Sequence, residues 1–141
     1  MGALHNRRSR CSDKESGPYR WFDYVDEEHP SVIHLEEWLQ SLPFFAQSDE
    51  RGKIDAVMDK ARQGELWDSG DAKSPLRPIT SDPELFELRH MALTKPLRLY
   101  HAEPSKHPDL LLLLHRHIKK DVPPQQEEID FAVERYRRQS A

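Results

Sequence analysis

The chain has 141 residues, a formal net charge of −4 and a mean hydropathy of −0.87, which fit one folded domain with one sizeable core. Its acidity argues against a broad positive surface that holds RNA, and the single cysteine, Cys11, excludes an internal disulfide and a cysteine-based zinc site. The longest apolar run, residues 110–114, is too short to span a membrane, so we predict a cytoplasmic protein with no membrane partner, cofactor or metal.

The first half of the chain predicts an arm, a strand and two helices. Residues 1–18 lack periodicity and are predicted to be a flexible N-terminal arm, whereas residues 19–141 form one domain. The aromatic and β-branched stretch 20–25 predicts a strand. A first helix is expected from Ser31 to about Pro43, and a second from Ser48 to Gly64, because apolar residues recur there at helical spacing.

The second half predicts strands followed by one helix. PLRPI is expected to be a short edge segment, since prolines are excluded from central strands. Stronger strands are predicted over residues 85–91, 97–103 and 109–118, and the last helix should follow Pro123 and Pro124. Its apolar face consists of Ile129, Ala132, Val133 and Tyr136.

This order indicates an α+β domain in which a helical hairpin packs on a mainly antiparallel four-stranded sheet, with a C-terminal helix. Residues 110–114 are apolar on both faces, which predicts the central strand. Charge is also uneven: up to Glu84 the chain has 11 basic and 17 acidic residues, but from Leu85 onward it has 10 and 8. An anion-binding site is therefore expected in the second half.

The succession PLRPI, LFELR, LRLYH, LLLLLHRHIKK and EEIDFAVERYRR resembles the RelE/ParE toxin superfamily, in its HigB-like and phage-derived host-inhibition branch. The resemblance implies a RelE-like fold and a toxin of a type II toxin-antitoxin-like system. It further implies a ribosome-dependent mRNA endoribonuclease that inhibits translation. The implied partners are a cognate antitoxin with a helix-turn-helix domain, the ribosome and mRNA. The positions that match residues tied to RNA contact or cleavage are Arg89, Arg98, Tyr100, Lys119 and Lys120.

Attack by the 2′-hydroxyl of RNA needs an acid, a base and positive charge on the phosphate, and it needs no metal. Arg98 and Tyr100 share one face of their strand and can border a cleft. His115 and His117 also project together, and they are our candidates for the acid or base, ahead of His101. The predicted catalytic residues are thus Arg98, Tyr100, His115 and His117, and the predicted phosphate contacts are Arg89, Lys119, Lys120 and Lys73.

Each of these predicted roles also has a purely structural interpretation. Glu87 with Arg89 is equally an ordinary ion pair, the histidines are equally structural or surface groups, and Lys119 with Lys120 are equally solvated charges. His115 and His117 form at most half a zinc site, for which the sequence offers no evident third ligand. Two other functions remain open: a non-enzymatic inhibitor of the same fold that binds a host protein such as gyrase, which the net acidity favours, and a phage-borne homologue that has lost cleavage.

Overall fold

A computed structural model of the protein describes residues 8–67, 74–93, 95–120 and 125–140. Within these ranges the chain is an α+β domain with three α-helices and a five-stranded sheet. Both faces of the sheet are covered: two helices pack on one face and the last helix on the other. The α+β class is therefore confirmed.

The sheet contains one strand more than predicted. Its strands are β1 (Arg20–Asp23), β2 (Leu76–Pro78), β3 (Leu85–Ala92), β4 (Lys95–Ala102) and β5 (Leu110–Ile118), in the spatial order β1-β5-β4-β3-β2. Strands β2 to β5 pair antiparallel, but β1 runs parallel to β5. The parallel pair is possible because the intervening helices carry the chain across the sheet, as a parallel connection requires.

The apolar strand β5 is an interior strand but not the central one. It lies between β1 and β4, and β4 occupies the centre of the sheet. Strand β1 pairs only with residues 110–113 of β5, so the rest of that β5 edge is left for the first helix to contact. Burial of β5 on both faces thus comes from helices above and below it, which explains its uninterrupted leucines.

The helical hairpin consists of α1 (Pro30–Ser41) and α2 (Phe44–Arg62). Helix α1 begins one residue before the predicted Ser31, because Pro30 occupies its first turn and His29 Nδ1 accepts a hydrogen bond from Ser31 N at 3.1 Å. Helix α2 begins about one turn before the predicted Ser48. The hairpin packs on the sheet through Val32, Ala61, Leu88, Leu99 and Leu113, where each buried aliphatic side chain stabilises the fold by about 1.5–3 kcal/mol.

The last helix, α3 (Gln125–Ser140), covers the opposite face of the sheet. Three residues of its predicted apolar face, Ala132, Val133 and Tyr136, pack with Tyr100 and Leu112, and Ile129 is partly buried beside them. The Tyr136 hydroxyl also donates to Glu84, the residue directly before β3. This helix closes the face on which the predicted catalytic residues lie.

The described part of the predicted arm is folded onto the domain. Residues Arg10–Ser12 form a short 3-10 helix, and Cys11 within it is fully buried. The Arg10 guanidinium donates to the carbonyl oxygens of Leu110 at 2.6 Å and Pro104 at 2.7 Å. The segment was predicted as an arm because these partners are about 100 positions away in the chain, so local composition could not indicate them.

Candidate functional site

Three strands place the predicted site residues in two rows across the sheet. In one row Arg89 of β3 lies opposite Arg98 of β4, which lies opposite His117 of β5. In the next row Glu87, Tyr100 and His115 are aligned in the same way. Because alternate residues of a strand share a face, both rows project toward α3.

A bulge in β5 sets this alignment. Tyr100 pairs with His115 but the next residue, His101, pairs with Leu113, so Leu114 is an extra residue in β5. The extra residue shifts the alternation of β5 by one position, and His115 and His117 consequently face the same side as Tyr100.

Arg89 and Arg98 converge on one carboxylate. Glu87 Oε1 lies 2.6 Å from Arg89 Nε and 3.6 Å from Arg98 Nε, and Glu87 itself is buried. Burial lowers the pKa of Arg98, and Glu87 opposes that change. Arg98 Nε has no hydrogen-bond partner among the described residues, so Glu87 holds it by charge across 3.6 Å. The two guanidinium groups therefore converge on Glu87.

Gln125, the first residue of α3, joins the two rows. Its Nε2 donates to Glu87 Oε2 at 2.8 Å and to the Tyr100 hydroxyl at 3.0 Å. Tyr100 OH in turn lies 2.7 Å from His117 Nε2, and His117 Nδ1 lies 3.1 Å from the Ile118 carbonyl oxygen. A carbonyl only accepts, so His117 carries its proton on Nδ1 and accepts the Tyr100 proton on Nε2.

This hydrogen-bond direction requires a neutral imidazole at His117. Burial lowers the pKa of His117, against the opposing effect of Glu128, which agrees with the neutral form. Burial also raises the pKa of Tyr100, so its hydroxyl keeps its proton. The chain from Gln125 through Tyr100 to His117 is therefore an uncharged hydrogen-bonded chain in which Tyr100 keeps its proton and His117 is neutral.

His115 forms a second buried pair with α3. Its Nε2 lies 3.1 Å from Glu128 Oε1, whereas its Nδ1 has no hydrogen-bond partner among the described residues. Burial lowers the pKa of His115 to about 4, although Glu128 acts in the opposite direction. Burial also opposes ionisation of Glu128, but hydrogen bonds from Ser31 and His115 lower its pKa overall. His115 is thus neutral at physiological pH.

The predicted catalytic residues are gathered but enclosed. Tyr100 and His115 are 0% exposed and His117 is 2% exposed, because α3 covers them. The accessible part of the site is a cleft of about 270 Å³ at the start of α3, whose lining includes Arg77, Arg89, Glu87, Gln125 and Ser81. Of the two converging arginines only Arg89 lines this cleft; Arg98 and Tyr100, which were predicted to border a cleft, are not in its lining, and neither are the imidazoles.

The predicted lysines lie outside this cleft. Lys119 and Lys120 follow β5 and are exposed, and Lys119 N donates to the Pro96 carbonyl oxygen at 2.7 Å. Lys120 borders a small cavity of about 40 Å³ beside His117, His34 and Glu128. Lys73 lies outside the described residues.

Among the residues that the structure describes, two groups of side chains have metal-binding composition. In the first group, the possible ligand atoms of His29, His115 and Glu128 all lie within 4.8 Å of one another. The fold therefore brings two further metal-ligand types to His115 that the sequence did not reveal. His29, however, uses its Nδ1 lone pair to accept from Ser31 N at the start of α1, which leaves the proton of the neutral ring on Nε2. The second group contains Cys11, His101 and Glu103 and lies on the other face of the sheet.

Comparisons with protein-family models, with curated proteins and with solved structures find no match. The resemblance to the RelE/ParE superfamily thus rests on the residues of the chain alone. Of the helices that the structure describes, none has both the length and the apolar character needed to cross a bilayer.

Sequence reasoning missed Arg77, Gln125 and Glu128. Arg77 lies opposite Glu87 in the β2–β3 register, which brings it to the cleft. Gln125 and Glu128 precede Ile129 and Ala132 of the apolar helix face by four positions, so helical spacing already placed them on the buried side of α3. This helical spacing was the feature of the sequence that could have identified Gln125 and Glu128.

Proposed function

We propose that the protein is a RelE-like toxin of a type II toxin-antitoxin-like system, and that it cleaves ribosome-bound mRNA in the cytoplasm without a metal. One observation supports this proposal above the others: Arg89 lines an open cleft, and Arg98 lies behind it on the same carboxylate, Glu87. Paired guanidinium groups suit bidentate phosphate binding. An arrangement of this kind can hold an RNA linkage in the geometry that in-line attack requires.

In the proposed reaction the 2′-oxygen of a ribose attacks the adjacent phosphorus. The O2′–P bond forms, the P–O5′ bond breaks, the 2′-hydroxyl proton is taken by a base, and a proton is delivered to the leaving O5′. Arg89 and Arg98 stabilise the added negative charge, and loss of one such donor costs about 10²–10³ in rate. Because Glu87 faces the cleft and binds both guanidinium groups, its role is to position them.

The buried imidazoles have a supporting role in this proposal. His117 and Tyr100 hold Gln125, and Gln125 holds the second oxygen of Glu87. A chain of three hydrogen-bonded residues therefore fixes the carboxylate that orients the two arginines. The ribosome supplies the remaining alignment of mRNA and the surrounding negative charge.

Expression of the chain in a bacterial host tests the proposal. Induction should stop protein synthesis, and mapping of mRNA 5′ ends should reveal new cleavage sites that require ribosomes. Arg89→Gln and Arg98→Gln should each reduce cleavage at least about tenfold. Arg20→Gln is the matched control, because Arg20 is exposed and pairs with Asp109 on the other side of the domain. Circular dichroism and a thermal midpoint should verify that each variant folds; cleavage that persists in a folded Arg98→Gln variant would contradict the assignment.

The second candidate is a non-enzymatic inhibitor that binds a host protein such as gyrase. It is favoured by the burial of His115 and His117, which leaves no imidazole at the cleft among the described residues, and by the net charge of −4. Halted growth with intact total mRNA would support this function and contradict the nuclease. A homologue that has lost cleavage would instead leave growth unaffected and still bind a helix-turn-helix antitoxin.

A further inference from the structure

A compact group of three metal-ligating side chains lies away from the cleft. Cys11 Sγ is 3.5 Å from His101 Nε2 and 3.8 Å from Glu103 Oε2, and His101 Nε2 is 2.8 Å from the same Glu103 oxygen. Cys11 and His101 are 0% exposed and Glu103 is 4% exposed. We propose that Cys11, His101 and Glu103 form a structural zinc site that fastens the N-terminal segment to the sheet. The single cysteine predicted no such site, because His101 and Glu103 lie 90 and 92 positions from Cys11 in the chain.

The fold holds each of these ligands in place before any metal binds. His101 lies in β4, next to Tyr100, where the β4–β5 register shifts. Its ring contacts those of Trp21 and Phe86 at centroid distances of 5.3 and 5.8 Å. Glu103 follows β4, and its backbone N donates to the Glu84 carbonyl oxygen. A preformed site of this kind needs little reordering on metal binding.

Cys11 is brought to the group by the turn that contains it. Its backbone N donates to Ser9 Oγ at 3.0 Å, and Ser9 Oγ donates to Glu103 Oε2 at 2.5 Å. Arg10 N donates to the second Glu103 oxygen at 2.8 Å. The Ser9 hydroxyl and the Arg10 backbone N–H therefore orient the Glu103 carboxylate toward the Cys11 thiol. Hydrogen bonds of this kind typically support metal-bound carboxylates.

The distances suit a tetrahedral ion. Zinc bonds of about 2.3 Å to sulfur and about 2.0–2.1 Å to nitrogen and oxygen place tetrahedral ligand atoms about 3.3–3.6 Å apart. The Cys11–His101 edge of 3.5 Å lies within this range, and the Cys11–Glu103 edge of 3.8 Å must shorten by about 0.2 Å. The His101–Glu103 contact must open from 2.8 Å by about half an ångström, which exchanges one hydrogen bond for two metal bonds.

The charges of the group also match a divalent cation. A thiolate, a carboxylate and a neutral imidazole carry two negative charges, so bound zinc makes the buried site neutral. His101 Nδ1 has no hydrogen-bond partner among the described residues, so it can take the proton when Nε2 binds metal without breaking another contact.

The same residues do not suit nucleophilic catalysis. Burial raises the pKa of Cys11 well above its usual value, and the charge of Glu103 raises it further, so the metal-free thiol stays protonated. Cys11 is also closed to solvent, so no substrate reaches it. Binding of a cation reverses this balance, because metal coordination deprotonates a thiol outright.

Cobalt titration of the full-length, chelator-treated protein tests the site. We expect one equivalent of Co²⁺ to produce a thiolate-to-cobalt charge-transfer band, which Zn²⁺ then displaces. Cys11→Ser should abolish this band, and Glu103→Gln should weaken it. His29→Ala is the matched control, because it removes the other metal-like group and should leave the band unchanged.

A second readout covers the case in which Cys11→Ser fails to fold. In the unaltered protein, Zn²⁺ at about 100 times its dissociation constant should raise the thermal midpoint by roughly 5–15 °C. Zn²⁺ should also slow the reaction of the Cys11 thiol with a disulfide reagent under partly denaturing conditions. Absence of the cobalt band together with an unchanged midpoint would overturn the proposal. Arg98→Gln should bind cobalt normally, so failure of the nuclease proposal and failure of the metal site are separate results.

Discussion

Arg98 lies directly opposite Arg89 on the neighbouring strand, and both guanidinium groups contact the same oxygen of Glu87. Like charges that face each other across a sheet are destabilising unless an acid compensates them. Glu87 is thus required for the stability of the pair as well as for its direction.

Replacement of Glu87 by Gln should therefore destabilise the fold. The change leaves two cations opposite each other without their counter-charge, and we expect a loss of about 3–5 kcal/mol in the free energy of unfolding. Urea denaturation followed by circular dichroism measures this loss. Asp109→Asn is the control, because it removes the exposed pair with Arg20 and should hardly move the urea midpoint. Equal midpoints for the two variants would contradict the role of Glu87.

Stability should fall as the pH decreases from about 6.5 to about 4. Burial lowers the folded-state pKa of His115 to about 4, below its unfolded value of about 6.5. The unfolded chain therefore takes up the proton first, and the stability present above pH 6.5 is lost through this window, with a magnitude on the order of 3 kcal/mol. His115→Gln cannot titrate and should show a flatter dependence on pH. Urea midpoints of both proteins at several pH values measure the difference; parallel curves would rule out a neutral, buried His115.

Tyr100 and His117 should be energetically coupled. Tyr100→Phe removes a hydroxyl that donates to His117 and accepts from Gln125, and it leaves buried groups unsatisfied at a cost of about 1–3 kcal/mol. Because His117→Gln disrupts the same contact, the double variant should be more stable than the sum of the single changes predicts, by about 0.5–3 kcal/mol. A double-mutant cycle in urea measures this coupling, and strict additivity would contradict the hydrogen-bonded chain.

Gly64 should resist substitution, unlike Gly52. Gly64 has φ +74°, and a Cβ there would lie 2.4 Å from the Asp13 carbonyl oxygen. Gly64→Ala should therefore cost more than about 1 kcal/mol and loosen the N-terminal segment. At Gly52, inside α2, no atom lies within 4 Å of the added Cβ, so Gly52→Ala should stabilise the helix by about 0.5–1 kcal/mol. Thermal midpoints compare the two variants, and a Gly64→Ala midpoint equal to that of the parent would show that the close contact is absent.

Local patterns were sufficient for the order of the elements. Helical spacing located both helices of the hairpin, and alternation in LRLYH correctly placed Arg98 and Tyr100 on one face. The parallel pairing of β1 with β5 was not predictable in the same way, because these strands are about 90 positions apart and their local composition does not specify a partner.

The sequence was sufficient to identify the charged residues of the candidate site, but not to predict which of its side chains are exposed. Alternation along β4 predicted that Arg98 and Tyr100 share a face, but the position of Arg89 opposite Arg98 depends on the pairing register of β3 and β4. The bulge at Leu114 was hidden within five consecutive leucines, so the orientation of His115 relative to the core could not be deduced. The enclosure of His115 and His117 depends on how α3 packs across the sheet, which periodicity within α3 does not determine.

The short edge strand β2 limits how another protein can reach the cleft. Pro78 has no N–H group, and Leu76 N already donates to Ser74 Oγ. The flanking hydrogen bonds from Ile79 N to Leu85 O and from Arg89 N to Pro75 O place Arg77 in the hydrogen-bonded pair with Glu87, so the Arg77 amide faces β3. This side of the domain is consequently a poor template for β-augmentation. A protein that blocks Arg77 and Arg89 would have to recognise them through acidic side chains, for example from a helix, rather than by extending the sheet.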